Sequence, residues 1–310
     1  MTRKTKGLIS IMVPVVLWGI SFVNTEYLLR SLGPMTIGGI RFTVATLLLY
    51  FLMRQSGASL KVDPKDKKLF LVAGLVGISL YFYFENTGIK YISAAPASLI
   101  ISAIPVLSLI FEALFCKRRI DRIDFFTVVL SIVGVAFIVG LDVEALLSSG
   151  KGIGYFMMVG AALSWVVFSL ISKPLFDKYS YITIVFYQFF YSLPFFIPFI
   201  IFEKNTWSLV GGEALWHLGF LSIFASAVGF YYYAKAMDLL GVTESAVFIN
   251  FCPIITIMTS YFYFGAMVTK VQFIGGCIVM ASVTVTTLRA EKERLPEDTE
   301  IAYRVLNDKT

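Results

Sequence analysis

Ten apolar runs of near-membrane length, separated by short polar breaks, organise this chain. They cover 7–29, 34–53, 69–89, 94–115, 125–141, 152–172, 181–202, 215–237, 245–264 and 271–288. A helix needs about 20 apolar residues to cross roughly 30 Å of hydrocarbon, so each run is predicted to span a bilayer. Gly33-Pro34, Gly150-Lys151-Gly152 and Gly211-Gly212 fall between runs, where chain-breaking residues end helices. Most connections are short, which predicts antiparallel neighbours. The expected fold class is all-α integral membrane, with ten transmembrane helices.

The pattern also repeats. The aromatic stretch at Leu80-Tyr81-Phe82-Tyr83, followed by Gly88-Ile89-Lys90-Tyr91, Ser98 and Pro105, is echoed by Phe230-Tyr231-Tyr232-Tyr233, Ala236-Met237-Asp238-Leu239, Ala246 and Pro253, with an offset of 148 residues. An odd number of spans separates the copies, so the second copy is expected to be inverted relative to the first. The reading is therefore two inverted five-helix repeats, 7–146 and 152–289, followed by a polar cytoplasmic tail at 290–310. Inverted repeats give two nearly equivalent states that face opposite sides of a membrane.

Composition agrees. Hydrophobic residues make up 58% of the 310 residues and charged residues 15%, with a mean hydropathy of +0.81, too apolar for a soluble domain of this size. The net charge of +6 does not point to nucleic acid, because the basic residues sit in short loops between apolar runs. Cys116, Cys252 and Cys277 lie in or beside apolar runs without CxxC spacing and read as small hydrophobes. Met1 to Lys6 ahead of an apolar run resembles a signal sequence, but no small-residue cleavage site follows, so an uncleaved first helix is expected. With the N-terminus inside, nineteen Lys and Arg residues fall on the inner side and five on the outer. The positive-inside rule then predicts a multi-pass protein of the cell (inner) membrane with both termini cytoplasmic.

These residues resemble the ten-helix drug/metabolite transporters built from EamA-type repeats. Leu17-Trp18-Gly19 with Ser21-Phe22 is similar to that family's first-helix pattern, and Pro34 with Arg41-Phe42 to its second. Gly88-Ile89-Lys90-Tyr91 through Ala97-Ser98 to Pro105 is similar to its third-to-fourth helix hairpin, and Gly134 fits the fifth helix. In the second half, Leu163 and Trp165 repeat the first-helix signature, Gln188 stands where Arg41 stood, and Gly241-Val242-Thr243-Glu244-Ser245 with Asn250 and Pro253 is similar to the ninth-helix entry. The family's Gly-Glu pair after the fourth helix of each repeat is replaced by Lys117-Arg118 and Gly265-Ala266, so no role is carried over to that glutamate. The resemblance implies a secondary active transporter, an exporter of amino acids or related small amphipathic metabolites, working by alternating access around a central cavity. It implies a small-molecule substrate, a lipid bilayer and no cofactor.

Ionisable groups inside a bilayer are costly, so those present are paired, cavity-facing or close to an interface. Glu85, inside the third run, reads as a proton-coupling site or as a carboxylate satisfied by Arg41 or Lys235. Arg41 reads as a ligand for a substrate carboxylate or as a brace between helices. Lys235 is placed to snorkel to the inner face, Glu26 reads as outer-interfacial, and Glu112 as interfacial near the basic run 117–119. Trp18, Trp165, Tyr83 and Tyr232 combine a stacking face with a polar handle and are substrate-binding candidates. Gln188 and Asn250 must bond across helices or face the cavity. Pro105 and Pro253 each remove a backbone hydrogen bond and are expected to kink the fourth and ninth spans, as gates or as static bends.

Catalytic patterns are missing, so an enzyme is not expected. His217 is the single histidine, and the sequence has no phosphate-binding loop and no Gly-x-Ser-x-Gly elbow. A non-transporting membrane receptor or assembly subunit with the same fold remains the alternative, suggested by the tail. Small-residue pairs such as Gly38-Gly39 and Gly275-Gly276 suit packing within one chain or between two, leaving monomer or homodimer open.

Overall fold

Every expected span has a helical counterpart in the computed structural model, which describes residues 2–115, 121–139, 150–240, 245 and 248–286. In chain order these are α1 (Arg3–Leu28), α2 (Pro34–Ser56), α3 (Lys67–Ile92), α4 (Ala94–Ile101 and Ile104–Phe115), α5 (Arg122–Val139), α6 (Lys151–Leu175), α7 (Tyr181–Phe202), α8 (Gly212–Leu240), α9 (Cys252–Phe264) and α10 (Lys270–Thr286). Among the described residues seven helices are long and apolar enough to cross a membrane, α9 and α10 are shorter apolar helices, and α5 has 18 residues. No strand occurs among the described residues. Cys116, the basic run 117–119, the 241–244 stretch, Ala246, the side chain of Glu112 and the tail lie outside them.

Two irregularities recur at the 148-residue offset. The fourth span breaks at Ser102-Ala103, and the ninth turns at Asn250-Phe251. Pro105 and Pro253 each occupy the second position of the helix that follows, where a missing N–H costs little. The expected kinks are thus complete breaks, with the prolines starting new helices. The third and eighth spans each contain a π-helical stretch, Leu75–Leu80 and Phe220–Val228. Such widened turns leave carbonyls free for partners outside the helix.

Packing follows the same internal pairing. α1 lies against α8 and α9, and its counterpart α6 lies against α3 and α4; α2 and α7 pack on each other. Glycines set the closest approaches. A Cβ on Gly77 would sit 1.9 Å from the Phe168 ring, and one on Gly74 would sit 2.6 Å from the Gln188 carbonyl. In lipid, where apolar contact gives no drive toward association, such close backbone packing and buried hydrogen bonds hold helices together. Polarity is accordingly turned inward. Arg41, Glu85, Asn86 and Gln188 are buried, whereas Phe126, Phe202 and Phe262 lie on the outside.

Polar contacts tie the connections together at two opposite ends. At one end Glu203, at the close of α7, accepts hydrogen bonds from the N–H groups of Met35 (2.8 Å) and Thr36 (2.7 Å) and so caps α2. Asn205 joins this knot by accepting from Gly33 N–H at 2.8 Å. Glu26 similarly caps α4 by accepting from Ala94 N–H at 2.7 Å, which gives this half-buried carboxylate a structural task. At the other end Asp66, before α3, pairs with Lys178 Nζ at 3.0 Å and accepts from Tyr179 Oη at 2.7 Å. Arg3 donates to the Asp238 carbonyl at 2.9 Å at the close of α8, and Tyr181 at the head of α7 donates to the Asp238 carboxylate at 2.6 Å.

The Tyr179 hydroxyl, with Lys178 beside it, holds the Asp66 carboxyl below its ordinary range. A depressed carboxylate contributes stability above its unfolded value near pH 4 and loses it as pH falls through the folded value. Lys178 is raised by the same pair, so its share persists into alkaline pH. Asp66→Asn is therefore expected to lower the melting temperature at pH 6–7, with the difference from the wild type shrinking as pH falls below about 4. A melt series of both proteins across that window checks this.

Candidate functional site

A small cavity of about 40 Å³ lies between α1, α2, α3, α4, α6, α8 and α9. Apart from Phe22, its apolar lining comes in pairs related by the internal repeat. Trp18 faces Trp165, Phe82 matches Phe230, Ile101 matches Ile249, and Ile104 matches Cys252. The last two pairs flank the breaks in the fourth and ninth spans, so each break delivers one residue from either side of it to the cavity. The Trp18 and Trp165 rings meet edge to face at 5.6 Å, and Phe230 lies 5.2 Å from Trp18.

The polar lining is unpaired by the repeat. Arg41, Tyr81, Glu85 and Ser21 enter the cavity, whereas their counterparts are Gln188, Gly229, Tyr233 and Phe168. The Tyr81-to-Gly229 exchange has a local reason. Gly229 leaves room for the Trp18 indole, because a Cβ there would lie 2.8 Å from Trp18 Nε1. Trp18 Nε1 in turn donates to the Ala225 carbonyl at 2.8 Å, within the π stretch of α8. Ser226, in the same stretch, donates to the Leu221 carbonyl five residues back and accepts from Arg41 Nε. Arg41 is 2% exposed, with its guanidinium 4.5 Å from the Phe82 ring centre. Glu85, 6% exposed, accepts a hydrogen bond from Tyr81 Oη at 2.8 Å. The structure thus places neither Arg41 nor Lys235 on Glu85. Lys235 lies 5.6 Å over the Tyr232 ring.

The other sequence candidates lie elsewhere. Tyr83 packs beside Phe199, with ring centres 5.5 Å apart, and Tyr232 packs against Tyr231. Gln188 donates to Ser172 Oγ at 2.9 Å and lines a separate void of about 10 Å³ that shares Phe230 with the central cavity. Asn250 is buried in the α9 break, and its Nδ2 finds no partner among the described residues. Tyr81, Phe82, Phe230 and Ser226 carry the site without having been singled out; the 148-residue match of Phe82 to Phe230 was the signal for two of them. His217 is held outside the cavity by Asn24 and Tyr263. No metal-binding cluster occurs among the described residues.

Comparison with known proteins completes the picture. The family model described as "EamA-like transporter family" matches twice, over 5–140 and 152–288. An "Uncharacterized transporter" of Archaeoglobus fulgidus is 25% identical over 283 residues, covering 90% of this chain and 97% of the relative. A "Probable terminal-alkyne amino-acid exporter" of Streptantibioticus cattleyicolor is 22% identical over 287 residues, covering 93% and 95%. A crystal structure at 19% identity superposes with a TM-score of 0.65 over 94% of this chain and 99% of its own, a likeness of fold. Two family matches spanning both halves, relatives that are transporters along their whole length, and an all-helical fold with seven helices able to cross a membrane make this chain a multi-pass membrane protein that belongs to the EamA-like transporter family.

Proposed function

We propose that this protein is a secondary active transporter that exports amino acids or related small amphipathic metabolites by alternating access. The observation that carries this reading is the central cavity, whose apolar walls, Phe22 apart, obey the internal repeat while its charges do not. In the proposed mechanism the repeats are inverted and rock about the paired walls, giving two related states. The unmatched Arg41 and Glu85 stay with the substrate in both. At about 40 Å³ the cavity holds roughly three waters at most, so the state described is contracted and substrate entry requires it to open. The breaks before Pro105 and Pro253 supply the hinges, because each has cavity-lining residues on both sides. The knot at Glu203 braces α2 against α7 at one end, and the knot at Asp66 braces the head of α3 against the segment leading into α7 at the other. We place the protein in the cell (inner) membrane with both termini cytoplasmic, on the basic-residue bias.

A relative that is a probable amino-acid exporter supports the substrate class. Proton coupling is assigned to Glu85, the one carboxylate lining the cavity among the described residues. Uptake of a labelled panel into proteoliposomes tests the reading, with aromatic, aliphatic and basic amino acids, purines and quaternary amines, with and without a pH gradient. Saturable amino-acid uptake that responds to the gradient is expected. Uptake confined to purines or quaternary amines overturns the substrate class, and silence across the whole panel favours a receptor or assembly subunit.

A further inference from the structure

We infer that the cavity recognises a zwitterion at two points, with Arg41 taking the carboxylate and Glu85 taking the ammonium of an apolar α-amino acid. This rests on the transport reading above and specifies how its substrate is held. Arg41 and Glu85 share the cavity, are almost fully buried and form no ion pair with each other. Each is instead drawn aside by a neutral partner. Arg41 spends only Nε, on Ser226 of α8, and both Nη groups lack an acceptor among the described residues. Glu85 spends only Oε1, on Tyr81 one turn earlier in α3, and Oε2 lacks a donor among the described residues.

Opposite charges sharing a low-dielectric cavity attract strongly, so keeping them apart requires such tethers. What remains is a guanidinium fork suited to a carboxylate and a carboxylate oxygen suited to an ammonium. A zwitterion satisfies both. An amine alone would leave Arg41 uncompensated, and an acid alone would leave Glu85 uncompensated. The same cavity is walled by Trp18, Trp165 and Phe230, which suits an apolar side chain. A basic or acidic side chain would meet an aromatic wall with no partner.

Tryptophan fluorescence of the purified full chain reads this directly, because Trp18 and Trp165 line the cavity whereas Trp207 and Trp216 are exposed. The probes are L-alanine, L-valine, L-leucine and L-phenylalanine, with 3-methylbutylamine and 4-methylpentanoate as the leucine analogues lacking one charged group. The wild type is expected to bind at least one amino acid and to bind leucine at least about a hundredfold tighter than either analogue. Arg41→Gln should bind leucine and the amine alike, and Glu85→Gln should bind leucine and the acid alike. If Arg41→Gln does not fold, Arg41→Lys should keep the preference for the acid end with weaker binding, and Ser226→Ala should weaken leucine more than the amine. Amino-acid transport with unchanged analogue preference in these variants overturns two-point recognition and leaves the transport reading intact. Failure of every amino acid to bind or to be transported overturns both.

Discussion

Gly275→Val is expected to abolish recovery of folded, monodisperse protein. α5 and α10 cross at glycines, and the contact is backbone to backbone. A Cβ on Gly275 would lie 2.6 Å from the Gly134 carbonyl oxygen and 3.0 Å from the Ile138 nitrogen. The converse holds for Gly134, whose Cβ would meet the Gly275 carbonyl at 2.8 Å and Val279 N at 3.0 Å. Backbone on both sides cannot swing away as a side-chain tip can. Overpacking of a close-packed interior costs about 1–3 kcal/mol and sometimes more, and this crossing belongs at the upper end or beyond. Gly134→Val should fail in the same way, and the double variant should be no worse than the sum, because both changes break one contact. Gly219→Ala is the control. It lies inside α8 with nothing within 4 Å of the added carbon, so it should be neutral or stabilise by about 0.5–1 kcal/mol. Size-exclusion profiles and thermal melts of the four proteins decide the matter.

Glu85→Gln is expected to uncouple transport from the pH gradient. One proton exchanged per substrate across a one-unit gradient sustains about a tenfold concentration ratio. The wild type should approach that ratio, and the variant should settle near equal concentrations while still exchanging substrate. The groups facing Glu85 in the cavity are Arg41, Tyr81 and Cys252. Arg41 carries its charge across the working range, and the tyrosine and thiol need far more alkaline conditions than a carboxylate to ionise. Glu85 is therefore the cavity group to which proton exchange is assigned. Steady-state ratios in proteoliposomes, measured at zero and one unit of gradient, check this. A variant that keeps the tenfold ratio removes Glu85 from coupling.

Much of this architecture is legible in the sequence. The ten spans fall where apolar length and Gly or Pro punctuation put them, with α7 matching residue for residue. The offset of 148 residues marks not only the prolines but also the two breaks and the ends of the two π stretches. Helix phase is what hydropathy leaves open. A span apolar all round has no strong periodic stripe, and a π turn inserts a residue that rotates the following face by about 100°. Tyr83 and Tyr232 therefore sit off the cavity, whereas Tyr81, Phe82 and Phe230 reach it. The tethers are equally hidden. Apart from its four-residue spacing to Glu85, Tyr81 looks like its aromatic neighbours, and Ser226 is one of two serines in α8. Ser226 gains its role only when the fold sets α8 against α2, whereas Tyr81 reaches Glu85 from one turn earlier on the same helix.

The most direct test of the central claim is counterflow. Proteoliposomes are loaded with unlabelled leucine and diluted into a trace of labelled leucine without any ion gradient. Alternating access predicts a transient accumulation of label above the outside concentration, because outward-moving unlabelled substrate returns the site to the other side loaded. The overshoot should be saturable and absent from empty liposomes. Label that binds without ever entering the lumen, or that merely equilibrates at a rate independent of the internal leucine, would contradict the account.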